Sequence, residues 1–175
     1  MKLSDIKLIY DYHYWATKRL LIAAQKLTQE QFIAPAAFPY GGLRGTLVHI
    51  LDAEYGWRTT FQQARQTGNT GEMKWLAEDL NEKDFPTLDS VEIRSLDDEA
   101  NMRKYLASLK DEDLIGIIRW TNPNGVKRER MLWHCLYHVV NHGTQHRSEA
   151  AAILTDLSHS PGDVDFTFFL SETHK

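Results

Sequence analysis

Apolar residues recur at helical spacing in four separate stretches of the chain. In the first, Ile6, Ile9, Tyr10, His13, Ala16, Leu20, Ala24 and Leu27 fall on one side, and Ser4 is a plausible N-cap. This predicts a helix from Ser4 to about Leu27. The segment AAFPYGGLRG then interrupts the pattern with Pro39, Gly41 and Gly42. A second helix is predicted from Leu43 to about Arg65, and TGNTG at 67–71 stops it. A long, acidic connection containing Pro86 follows, through about residue 94. The third helix is predicted from Ser95, where S-L-D-D fits a capping box, to about Leu109. Residues 115–129 put β-prone side chains on both sides of a Pro/Asn-Gly turn, which predicts a hairpin. The last helix is predicted from Arg130 to Leu157, and the aromatic tail SPGDVDFTFFL is expected to pack back on the bundle. Helices joined by a short first and a long second connection predict an all-α fold. The expectation is a four-helix bundle with a crossover and a small hairpin before the last helix, in one domain over 1–175.

Composition leaves that picture unchanged and narrows the function. The chain has 175 residues, 42% hydrophobic and 25% charged, ordinary for a globular protein that buries its own core. A net charge of −4 supplies no basic field, so no nucleic-acid partner is expected. The charged N-terminal segment reads neither as a signal peptide nor as a membrane span, so no membrane partner is expected. The single cysteine, Cys135, excludes an internal disulfide and fits a cytoplasmic location. It reads as a small packing residue, a nucleophile being the alternative.

Histidine is the departure from the ordinary. There are eight, and His134, His138, His142 and His146 follow one another at intervals of four. Each such step rises roughly 6 Å and turns about 40°, so neighbours can share a ligand but all four cannot. Leu132, Leu136, Val139, Gly143, Ala150, Leu154 and Leu157 define the buried direction of this helix. His146 lies roughly 30° and His142 roughly 70° from it, whereas His138 and His134 lie about 110° and 150° away. His142 and His146 are therefore the inward pair, and His134 and His138 read as surface, supporting or dimer-contact residues. A metal site of this kind ordinarily takes a third protein ligand and keeps one open position. His13 sits near the centre of its apolar face and His49 about 110° from the centre of its own, so periodicity alone favours His13. Glu54 falls within about 20° of the second helix's apolar centre, either orienting an imidazole or pairing with a basic residue. The H-E-x-x-H pattern of metalloproteases is absent, since Gly143 follows His142, and so are the E-x-x-H pairs of di-iron bundles.

The segments YHYWATKRLL, LVHILDAEYGWR, HVVNHGTQHRSEAAAIL and GDVDFTFFL, in that order along nearly the whole chain, resemble the DinB/YfiT-like proteins. The resemblance implies an up-down-down-up four-helix bundle and, often, a homodimer. It implies a divalent metal ion, zinc or nickel, on His49, His142 and His146, and so chooses His49 over His13. Some members are thiol S-transferases that join a small-molecule thiol to an electrophile, which makes a metal-dependent transferase of this type the leading expectation. A non-catalytic metal-binding protein of the stress or damage response is the alternative. His13, facing inward beside such a site, is the candidate catalytic residue, as a base or hydrogen-bond donor. One local difference stands out: HRSE, ending in Ser148 and Glu149, occupies the place where HRGQ is common.

Overall fold

The computed structural model describes residues 1–68, 73–74, 80–121 and 124–173. Four long helices build it: α1 (Leu3–Ala24), α3 (Leu43–Gln66), α4 (Leu88–Ala107) and α5 (Leu132–Asp156). Two short ones accompany them, α2 (Gln29–Ile33) and α6 (Phe166–Thr173). Helix α5 packs on both α3 and α1, and α4 packs on the same two from the other side. Among the described residues no helix is long and apolar enough to cross a membrane.

The predicted hairpin is present as β2 (Ile117–Thr121) and β3 (Lys127–Met131), antiparallel, with Ile118 opposite Arg130 and Trp120 opposite Arg128. A two-residue strand, β1 (Met73–Lys74), pairs parallel to β2 on its other edge. Part of the predicted turn, residues 122–123, lies outside the described residues. The tail does fold back: Phe169 of α6 is buried against Tyr12 and Trp15, and Glu172 accepts hydrogen bonds from Trp15 Nε1 and Arg19.

One helix start differs from expectation, and one short helix is added. Helix α4 begins at Leu88, two turns before Ser95, because Thr87 caps it by accepting from the Ser90 amide. The S-L-D-D segment is thus interior helix, and its Asp98 is buried between Arg58 and Arg94, at 2.7 Å from each. Helix α2, only five residues long, gives no periodic signal; Thr28 caps it.

The apolar interior divides into two clusters. One, centred on Tyr10, Phe61, Met102 and Leu136, fills the end near the hairpin. The other, centred on Leu20, Leu47, Leu51 and Leu154, fills the opposite end. Between them lies a polar layer made by His13 of α1, Glu54 of α3, and His146 and Arg147 of α5, all buried.

Candidate metal centre

The polar layer has an inner and an outer part. The inner part begins with Arg147, an arginine only 2% exposed. Its Nη1 donates to His13 Nδ1 at 2.6 Å, its Nη2 donates to Thr144 Oγ1 at 2.8 Å, and its guanidinium lies over the Tyr12 ring. A guanidinium can only donate, so Nδ1 of His13 must be the acceptor and its proton must sit on Nε2. That Nε2–H donates to Glu54 Oε2 at 3.2 Å, and the other carboxylate oxygen accepts from the Tyr14 hydroxyl. Burial, followed by the Arg147 charge, holds the His13 pKa below its ordinary value, consistent with a neutral ring. Burial pushes Glu54 upward, but the hydrogen bonds from His13 and Tyr14 and the charge of Arg58 outweigh it and keep the carboxylate ionised. The buried charges of Arg147 and Glu54 therefore compensate each other through an intervening neutral imidazole.

Room for this arrangement comes from Gly143. A Cβ there would overlap His13 Cε1 and stand 2.9 Å from both His13 Nδ1 and Arg147 Nη1. Glycine at this position lets α1 press its histidine against the α5 backbone, one residue after His142.

The outer part lies at the rim, between α3 and α5. His49, His142 and His146 each present a ring nitrogen, and the three atoms lie within 4.8 Å of one another. His49 Nε2 and His142 Nε2 are 3.1 Å apart. His146 is 4% exposed, and its Nδ1 donates to Glu149 Oε2 at 2.8 Å, which leaves Nε2 as the nitrogen able to ligate. Glu149, the last residue of the HRSE segment, thus stands behind His146 as its hydrogen-bond acceptor. Tyr40 stacks on His49, with centroids 3.6 Å apart and planes 13° from parallel. Gly45 allows that contact, since a Cβ there would collide with the Tyr40 carbonyl oxygen. The donor set suits a divalent ion: three convergent imidazoles, one of them fixed by a carboxylate behind it. Beside His49 a cavity of about 280 Å³, lined by Tyr40, Val48, Asp52, Leu80 and Glu82, opens to solvent.

Half-burial and mutual repulsion hold His49 and His142 down to about 4, from an ordinary value of 6.5. For His49 the order of causes is burial and then His146, and for His142 it is burial, His146 and His49. Both are therefore in the neutral, ligating form at pH 7. A pH effect follows with a definite sign. Above pH 6.5 the rings are neutral in the folded and unfolded chains alike; between 6.5 and about 4 the unfolded chain binds protons that the fold refuses. Metal-free protein is accordingly expected to lose stability as pH falls from 6.5 toward 5. A His49→Gln/His142→Gln variant should show a flatter profile in thermal melts. Equal slopes for the two proteins would contradict this environment for the pair.

The structure brings His49, His142 and His146 together and sends His13 to a different place in the same layer. His138 is exposed, as expected from the wheel, whereas His134, which the wheel turns furthest toward solvent, is half-buried beside the Trp133 ring; both lie further along α5. Glu54 is buried but bonds His13 and Tyr14 and none of the three rim histidines. His159 is half-buried outside the layer, and His174 lies outside the described residues. Cys135 is buried, its thiol pushed up to about 12, the setting of a packing residue. Arg147 escaped the sequence reading although a signal existed, and Glu149, noted there as a departure, was given no role. Arg147 stands four after Gly143 and three before Ala150, directly on the buried stripe. Glu149 stands three after His146, within reach along the same face. Tyr40, in an irregular segment, gave none.

Comparison with known proteins places the whole chain in a family. The chain is 25% identical over 169 residues to "Protein DinB" of Bacillus subtilis (strain 168), covering 95% of both chains. The DinB family pattern matches residues 1–175, and the protein belongs to the DinB family.

Proposed function

We propose that this protein is a divalent-metal-dependent enzyme that activates a small-molecule thiol for transfer to an electrophile, with His49, His142 and His146 as the metal ligands. The observation that carries the reading is the convergence of three imidazole nitrogens within 4.8 Å at the rim of the bundle, beside an open cavity. A zinc or nickel ion held there would act as a Lewis acid that lowers the pKa of a thiol brought to it. The chain's own residues then have distinct tasks. Glu149 fixes the tautomer and orientation of His146, and Tyr40 holds the His49 ring flat. The polar layer behind them anchors the α5 backbone between His142 and His146. His13, with both ring nitrogens engaged, supports this as a hydrogen-bond donor to Glu54 and not as a base. In the transfer, the sulfur forms the bond to the electrophilic carbon, the leaving group departs with the bonding pair, and the thiol proton passes to solvent.

Elemental analysis of untagged protein tests the first half; about one zinc or nickel per chain is expected by the one-site geometry. Conjugation of a thiol to an electrophile, lost on chelation and restored by the ion, tests the second. A stoichiometry far below one would sink the metal site. One bound ion that raises the melting temperature, with no turnover across thiols and electrophiles, would leave a non-catalytic metal-binding protein instead.

A further inference from the structure

One turn along α5 from His142, the rim of the bundle changes character. Trp57 of α3, Trp120 of β2, Arg128 and Arg130 of β3, and His134 and His138 of α5 enclose a second cavity, of about 250 Å³, with Cys135 at its base. Among the described residues its lining contains two guanidinium groups and no carboxylate.

The strand register explains why. Arg128 and Arg130 stand opposite Trp120 and Ile118, and directly paired residues project from the same face of a sheet. Trp120 and Ile118 are buried, so both arginines stand on the face turned toward the bundle. Glu129, between them, points the other way and pairs with Arg119 at 3.2 Å. Among the described residues neither Arg128 nor Arg130 has a carboxylate partner or an aromatic ring beneath it; each meets only a neighbouring main-chain carbonyl. Most of their N–H donors remain available to a ligand. The walls are flat and apolar, with Trp57 and Trp120 edge to face at 5.1 Å. His138 joins this cavity to the metal centre, its ring 5.4 Å from that of Trp57 and 5.8 Å from that of His142.

We propose that this cavity is an anchoring subsite for the carboxylate end of a small organic acid, holding it so that its other end reaches the three-histidine centre. Two guanidinium groups on alternate positions of one strand match the planar, two-oxygen shape of a carboxylate, and the tryptophans cover the hydrocarbon part. The proposal rests on the metal-and-thiol reading above for what the far end does, but the anion site itself can be tested apart from it.

The test uses cobalt(II)-loaded full-length protein, in which a thiolate bound to the ion gives a charge-transfer absorption. Titration compares mercaptosuccinate, an acid-bearing thiol, with 2-mercaptoethanol, a neutral one. Mercaptosuccinate is expected to give the band at a concentration lower by about tenfold or more, and Arg128→Gln/Arg130→Gln should bring the ratio of the two midpoints close to one. Both arginines are surface-exposed, so the variant is expected to fold, which circular dichroism checks. Equal midpoints in the unsubstituted protein would overturn the subsite while leaving the thiol reading standing. If neither thiol gives a band, the thiol reading fails, and succinate decides the subsite alone. Quenching of tryptophan fluorescence by succinate, lost in the double variant, would support it; no quenching would overturn it.

Discussion

Replacing His49 by alanine is expected to lower the affinity for the divalent ion by more than about 100-fold, the upper range for loss of a mere supporting partner. Three imidazoles and an open position make a tight site; two leave the ion mostly to water. The same substitution should change the metal-free fold little, because His49 is half-buried and neutral at pH 7. The two readouts therefore separate cleanly. With metal at about 100 times its dissociation constant, the unsubstituted protein should gain about 2.7 kcal/mol of stability, and His49→Ala should gain almost none. Calorimetric titration and thermal melts, each with and without metal, measure this. Unchanged metal affinity in His49→Ala would place the third ligand elsewhere and undo the assignment.

A larger effect on the fold itself is expected from Gly143→Ala. Alanine in place of glycine inside a helix would ordinarily gain about 1 kcal/mol. Here the added methyl group would overlap the His13 ring, which cannot step aside freely. Arg147 holds one ring nitrogen at 2.6 Å and Glu54 the other at 3.2 Å. Relieving the overlap means either spreading α1 from α5 or breaking a hydrogen bond to a buried charge, worth about 1.5–3 kcal/mol. With overpacking of about 1–3 kcal/mol as the other route, and the helical gain of about 1 kcal/mol set against either, we expect a net loss of roughly 0.5–2 kcal/mol in urea unfolding. Stability equal to or above that of the unsubstituted protein would show that the close approach is not under constraint.

These two residues also show how far the sequence could be read. The inward direction of α5 was legible because leucine, valine and alanine mark it every three or four positions, and His146 and His142 fell where the wheel placed them. The third rim residue was not legible from periodicity. A helical wheel finds the centre of the core, and His13 does sit there, only 1% exposed. A site that must admit a ligand lies at the rim, so its residues occupy the flanks of their helices, as His49 does. The resemblance to a known family supplied what the wheel could not. The start of α4 was missed for a different reason: a good capping pattern at Ser95 competed with the true cap at Thr87, which accepts from the Ser90 amide two turns earlier. Arg147 was overlooked because a charged residue on a buried stripe is usually read as an exception, although its spacing from Gly143 and Ala150 pointed inward.

The polar layer between the two apolar clusters has a consequence for the alignment of the helices. Leucines and alanines tolerate sliding, since one apolar contact resembles the next. Arg147, His13, Glu54 and Tyr14 do not, because each donor meets one acceptor. Shifting α5 by a single turn, roughly 5.4 Å, would carry Arg147 into apolar surroundings and leave His13 Nδ1 and the buried Glu54 charge without the guanidinium that balances them. The layer acts as a registry pin that sets α1, α3 and α5 at fixed heights. It does so at the level where His49 must meet His142 and His146.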